Sequence, residues 1–541
     1  MRKGLLLCCL LPMLAAVPAL GDAIPVALSD ATGTVTITEG GDYLVSGTLT
    51  DGQLIVDAEG EKVTLRLNGA EIVCARDAAL RIDSADKVIV ELMPDTVSSL
   101  TGGGDDAEQG AALYSRADLT IRGEGSLEVT GLTHNGIQTT KDLKLHGGTV
   151  DVTAAGHGIR GKDSVTINGG RITIRAGGDG IRTAETEEGK GQILLKDGEI
   201  SVTADGDGIS AATELAVSGG TVDIVAGGGQ ENAAAHVSGD WGWGGGRGHG
   251  WDMDETREED STVSAKGLKA GTTLTVGAGE VRVNSADDAL HAAGDIVIAG
   301  GMLTLRTGDD GVHSDTTLTV SGGSVSVTAS YEGLEAHDIV IAGGDCDITA
   351  EDDGLNAFGG SDSRSRDRGF GRWDDAAADG ETEDLPTLTV TGGTLHVNAE
   401  GDGLDSNGDL TIRGGLVIVD GPVYSMNGAL DSGTENGGSC SVHGGTVLAI
   451  GAAGMAEAFD STSTQCCVSA YVSFSAGDLL TITDADGGTV YSYRALKPGE
   501  SVVFSDPALV QGESYTVRAG DNGAEAVEAT YGSEDAGGYW W

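Results

Sequence analysis

Proline, cysteine and aromatic side chains are all scarce in this chain, with 8 prolines, 7 cysteines and 4% aromatic residues in 541 positions. So few large rings exclude a broad aromatic core, while the 39% of apolar residues supply enough Val, Ile, Leu and Ala for a narrow one. Basic residues are also few: 32 Lys plus Arg stand against 84 Asp plus Glu, a formal net charge of -52. That charge repels phosphate backbones and anionic bilayers, so no nucleic-acid partner and no membrane adhesion is expected.

Long apolar runs are missing beyond the amino terminus. There, Arg2 and Lys3 precede Leu5 to Val17, which is too short to span a bilayer, and Ala19 and Gly21 supply the small residues of a signal-peptidase site. Residues 1–21 therefore read as a signal peptide, cleaved before Asp22, and predict a secreted protein without membrane insertion. Cys74, Cys346, Cys440, Cys466 and Cys467 would remain, and their scatter matches neither a zinc site nor a disulfide framework. Cys346 and Cys440 fall at inward apolar positions of the repeat described next.

Glycine is abundant, with 90 residues, and it is periodic. Asn135-Gly136-Ile137 returns as His157-Gly158-Ile159, Asp179-Gly180-Ile181, Asp207-Gly208-Ile209, Lys266-Gly267-Leu268 and Asp288-Ala289-Leu290. It continues as Asp310-Gly311-Val312, Glu332-Gly333-Leu334, Asp353-Gly354-Leu355 and Asp402-Gly403-Leu404, about 22 residues apart where nothing intervenes. Each unit adds two alternating stretches about a glycine turn, as in Leu143-Lys144-Leu145, Gly147-Gly148 and Val150-Asp151-Val152. Three short strands per coil and no helical period predict an all-β protein, a right-handed parallel β-helix solenoid with a small C-terminal β domain.

The expected boundaries are an amino-terminal β cap over 22–73, the solenoid over 74–455, a separate β domain over 466–519 and a flexible tail over 520–541. Two glycine-rich insertions interrupt the solenoid as long loops. The first, at about 227–262, carries Trp241, Trp243, His249 and Trp251; the second, at about 359–384, carries Arg364, Arg366, Arg368, Arg372 and Trp373.

The residue after each inward Ile, Leu or Val should point outward and stack on its counterpart one coil away. That column runs Gln138, Arg160, Arg182, Ser210, Lys269, His291, His313, Glu335, Asn356, Asp405 and Asp431. Its basic half, Arg160, Arg182, Lys269, His291 and His313, suits the carboxylates of an acidic polysaccharide, although a charge-balanced solvent face reads equally well. The neighbouring glycine or alanine column would leave a shallow trough for an extended ligand.

The residue before the glycine forms an acidic column, doubled at Asp309 with Asp310 and at Asp352 with Asp353, and joined by Asp402 with Asp405. Adjacent carboxylates about 4.8 Å apart repel by roughly 3.5 kcal/mol at an effective dielectric of 20, and by roughly 0.9 kcal/mol in water. Calcium, with oxygen ligands at about 2.3–2.6 Å, would relieve the doubled positions. Elsewhere these acids are expected to accept corner N–H groups.

These Asp-Gly-Ile and Asp-Gly-Leu coils, with Asp402-Gly403-Leu404-Asp405-Ser406-Asn407-Gly408 and Val503-Phe504-Ser505-Asp506-Pro507, resemble the secreted bacterial carbohydrate-binding parallel-β-helix family, related in fold to pectate lyases. The resemblance implies association with calcium and binding of cellulose or polygalacturonate. Three functions follow as expectations. The leading one is a non-catalytic polysaccharide-binding protein. The second is a polysaccharide lyase with Arg160, Arg182 or Lys269 as base. The third is a structural rod or adhesin whose insertions contact a partner.

Overall fold

The computed structural model describes residues 23–104, 110–234, 264–358, 385–521 and 523–533. The signal-peptide reading, the Trp-rich and Arg-rich parts of the two insertions and the end of the tail lie outside them.

Alternation and glycine turns produce a parallel-strand solenoid. Three ladders of inward residues run along it. In one, Ile137, Ile159, Ile181, Ile209, Leu268, Leu290, Val312, Leu334, Leu355, Leu404 and Leu430 stack in parallel register. A second aligns Leu143, Val165, Ile193, Leu215, Leu274 and Ile296, and a third Val150, Ile172, Ile200, Val222, Val281 and Leu303. All are buried, so one continuous core of small aliphatic side chains runs through the coils. Cys346 continues the third ladder between Val325 and Leu395, and Cys440 continues the second beside Leu410, both as buried thiols.

Two glycine columns have different causes. At the turn, Gly323 adopts φ +83, a left-handed conformation that other residues rarely take. At the corner, Gly180 has no such dihedral, but a Cβ there would stand 2.2 Å from Val202 Cγ1 and 2.5 Å from the Gly208 carbonyl oxygen. Gly158, Gly208, Gly267 and Gly403 meet a Val or Ile methyl in the same way. The corner glycines therefore make room for the core and not, as expected, for a ligand trough.

Three boundaries differ from those expected. Segment 22–73 belongs to the ladder itself: Ile24–Ala27 pairs parallel with Gly41–Thr50, which pairs with Lys62–Cys74. Val63, Leu65 and Leu67 already alternate inward there, so these are the first coils. At the other end, Ser501–Ser505 pairs antiparallel with both Thr446–Gly451 and Cys467–Ala470. The C-terminal segment is thus joined to the solenoid sheet, because its strand covers the edge left by the last coil. The expected tail contains a strand, Gly523–Glu528, which completes a four-stranded antiparallel sheet with Leu479–Thr483, Thr489–Arg494 and Ser514–Ala519. Among the described residues no helix is long and apolar enough to cross a membrane.

Candidate functional site

The outward column forms one ladder from Gln138 to Asp431, each residue in register with the next. The acids preceding the corner form a second line beside it, and the two are joined through residues three apart.

The corner carboxylates divide two tasks among them, and Asp179 and Asp288 perform both. One oxygen accepts the backbone N–H of its counterpart on the next coil: Asp179 from Asp207 at 3.0 Å, Asp207 from Lys266 at 3.0 Å, Asp288 from Asp310 at 3.2 Å and Asp353 from Asp402 at 2.6 Å. The acids cap the coil above rather than closing their own turn. The other oxygen faces the outward residue three positions on. Asp179 holds Arg182 at 2.9 Å, Asp288 holds His291 at 2.9 Å, and Asp310 holds His313 at 2.9 Å.

This pairing separates the basic candidates into two sets. Arg160, Arg182 and Lys269 keep partial access to solvent, with 44% of the Arg182 side chain and 33% of the Lys269 side chain exposed. Lys269 also reaches Asp207 at 3.4 Å. The two histidines do not face solvent as expected: His291 is 8% and His313 3% exposed. Their imidazoles lie over the preceding acids and stack on each other with centroids 5.0 Å apart. Hydrogen bonds to Asp310, Asp315 and Glu335 outweigh burial and hold the His313 imidazolium far above its ordinary range.

The doubled acids also divide. At Asp287 and Asp288, beside Asp309, the Lys266 ammonium sits 2.9 and 2.5 Å from the first two carboxylates. Lys266 thus neutralises the acids one coil before the expected pair of Asp309 and Asp310, and Asp310 is taken up by His313. Lys266 occupies the acidic position of its own coil, a substitution visible in the repeat but not recognised there as an internal counterion.

Beyond His313 neither line carries a cation among the described residues. The joined positions become Glu332 with Glu335, Asp353 with Asn356, and Asp402 with Asp405, followed by Asp431 in register with Asp405. Burial, then the charge of Asp352, pushes Asp353 up to about 7; burial, then Asp353, pushes Asp402 up to about 8. Glu457, whose place in this line the repeat did not reveal, is raised to about 8 by burial and by Asp431. Asn356 gives its amide to Glu332 at 2.9 Å, while its buried Oδ1 has no partner among the described residues. This line of hard oxygen donors, with an acceptor inside it that has no partner among the described residues, offers the donor type that a calcium ion takes.

A family model described as Carbohydrate-binding domain-containing protein matches residues 31–311 and 309–371, more than half of the chain. A protein of that description from Acetivibrio thermocellus is 40% identical over 128 residues, covering 22% of this chain and 45% of the relative, so the chain spans less than half of that curated relative's length. A solved structure, the polysaccharide lyase-like protein from C. thermocellum in a gadolinium derivative, is 38% identical over 36% of this chain and 83% of its own, with a TM-score of 0.35. The chain belongs to the Carbohydrate-binding domain-containing protein family.

Proposed function

We propose that this is a secreted, non-catalytic polysaccharide-binding protein, built as a right-handed parallel β-helix, that takes an acidic polymer such as polygalacturonate along its outward ladder. The observation that carries the reading is the change of sign within one continuous ladder, from the solvent-accessible Arg160, Arg182 and Lys269 to the acids that begin at Glu335. A uronate chain laid on the basic part finds guanidinium donors at successive coils, about 4.8 Å apart. Asp352, Asp353, Asp402 and Asp405 would hold calcium, which would lower the protein's negative potential toward the same polymer. Asp309 and Asp310 are left out of that set, because His313 already matches Asp310.

Binding of polygalacturonate and of a neutral glucan, each with calcium and with chelator, tests the reading while ultraviolet absorbance follows unsaturated product. Calcium-dependent binding of polygalacturonate without product is expected. Product formation would make the protein a lyase, and a flat isotherm under every condition would leave the structural-rod reading.

A further inference from the structure

We propose that His313, Asp310 and Glu335 form a binding site for a zinc-type transition-metal ion, separate from the calcium positions and independent of the carbohydrate reading. His313 Nδ1 lies 2.9 Å from Asp310 Oδ2 and 3.0 Å from Glu335 Oε2. These three donor atoms fall within 4.8 Å of one another. Ligands about 2.0–2.2 Å from a shared zinc ion sit roughly 3.0–3.5 Å apart, so the two nitrogen–oxygen separations need to open by only a few tenths of an ångström. Calcium asks for longer bonds and oxygen donors, which the imidazole nitrogen does not supply.

The rest of the histidine is arranged as a metal ligand's would be. Nε2 faces Asp315 Oδ1 at 3.3 Å, a carboxylate that would keep the proton on Nε2 and leave Nδ1 directed at an ion shared with Asp310 and Glu335. The His291 ring stacks on the other side and restricts rotation. Two carboxylates, those of Asp310 and Glu335, converge on one ring nitrogen. His313 is 3% exposed, whereas the Glu335 side chain is 17% exposed and gives an ion its approach from solvent. The related group one coil earlier, Asp288 with His291, is unsuitable because the Lys266 ammonium stands 2.5 Å from Asp288.

The test uses the full mature chain without a tag, stripped with chelator, and cobalt(II) as a spectroscopic probe, followed by zinc competition. One cobalt ion with visible ligand-field bands, displaced by zinc but not by an equal concentration of calcium, is expected. His313→Gln and Glu335→Gln should each weaken binding at least tenfold while circular dichroism stays native. Should His313→Gln fail to fold, Glu335→Gln decides. Absence of tight cobalt or zinc binding, displacement by calcium, or binding unchanged in a folded Glu335→Gln protein would overturn the assignment.

Discussion

The backbone N–H of Asp402 donates to Asp353 Oδ1 at 2.6 Å, so two carboxylates that repel each other are tied together by the coil-to-coil ladder. Folding brings them into one line, where burial and then the charge of Asp353 raise the pKa of Asp402, while burial and then Asp352 raise that of Asp353.

That relationship sets a pH dependence. Both carboxyls titrate near 4 in an unfolded chain, against about 7 for Asp353 and about 8 for Asp402 in the fold. Raised folded values mean that their contribution to stability is complete below about pH 4 and is lost as pH rises through 7 and 8. In chelator, Tm should therefore fall across this window, and calcium should suppress the fall. A Tm profile that is identical with calcium and with chelator would contradict calcium at these residues.

Asp402→Asn keeps an acceptor for the Gly428 N–H, which Asp402 Oδ1 now receives at 2.5 Å, while removing the charge. The variant should fold, gain stability in chelator at pH 8, and bind calcium at least tenfold more weakly, a loss of about 1.4 kcal/mol. Calorimetric titration alongside thermal unfolding checks both signs.

Replacing Arg160 and Arg182 together by alanine should weaken polygalacturonate binding by about tenfold or more, because each guanidinium offers a charge-assisted pair to a uronate. Binding to a neutral glucan should change little. Equal losses for both polymers, measured by isothermal titration, would show that charge does not govern recognition here.

Gly180→Ala should destabilise the solenoid by about 1–3 kcal/mol, the usual cost of overpacking a filled core, since the new methyl meets Val202 and the Gly208 carbonyl. Denaturant unfolding measures it, and an unchanged midpoint would refute the packing role of the corner glycines.

The C-terminal sheet is latched through Asp420, which is fully buried and accepts from Leu496 N at 2.9 Å, from Tyr493 Oη and from His396 Nε2 at 3.2 Å. Asp420→Ala leaves these donors unsatisfied and should cost about 3 kcal/mol. The hydrogen bond to Asp420 is also the main cause of the raised pKa of His396, so this pair's contribution is present at acid pH and lost as pH rises through that raised value. Limited proteolysis should cut the Asp420→Ala protein near the sheet junction much faster than the parent.

Much of the architecture was legible because a solenoid is nearly one-dimensional. The spacing from Ile137 to Ile159 and Ile181 sets which residues stack, and two-residue alternation sets which side chains turn inward. The outward ladder from Gln138 to Asp431 follows from that counting alone, as do the core positions of Cys346 and Cys440. Only the tertiary structure decided that His291 and His313 are covered, that Lys266 serves the acids of the next coil, that the corner glycines face the core, and that Ser501–Ser505 closes the last coil. The physical reason is that periodicity specifies direction and register, whereas burial, ionisation and pairing depend on what stands across space, and those neighbours are set by how each side chain folds over the coil beside it.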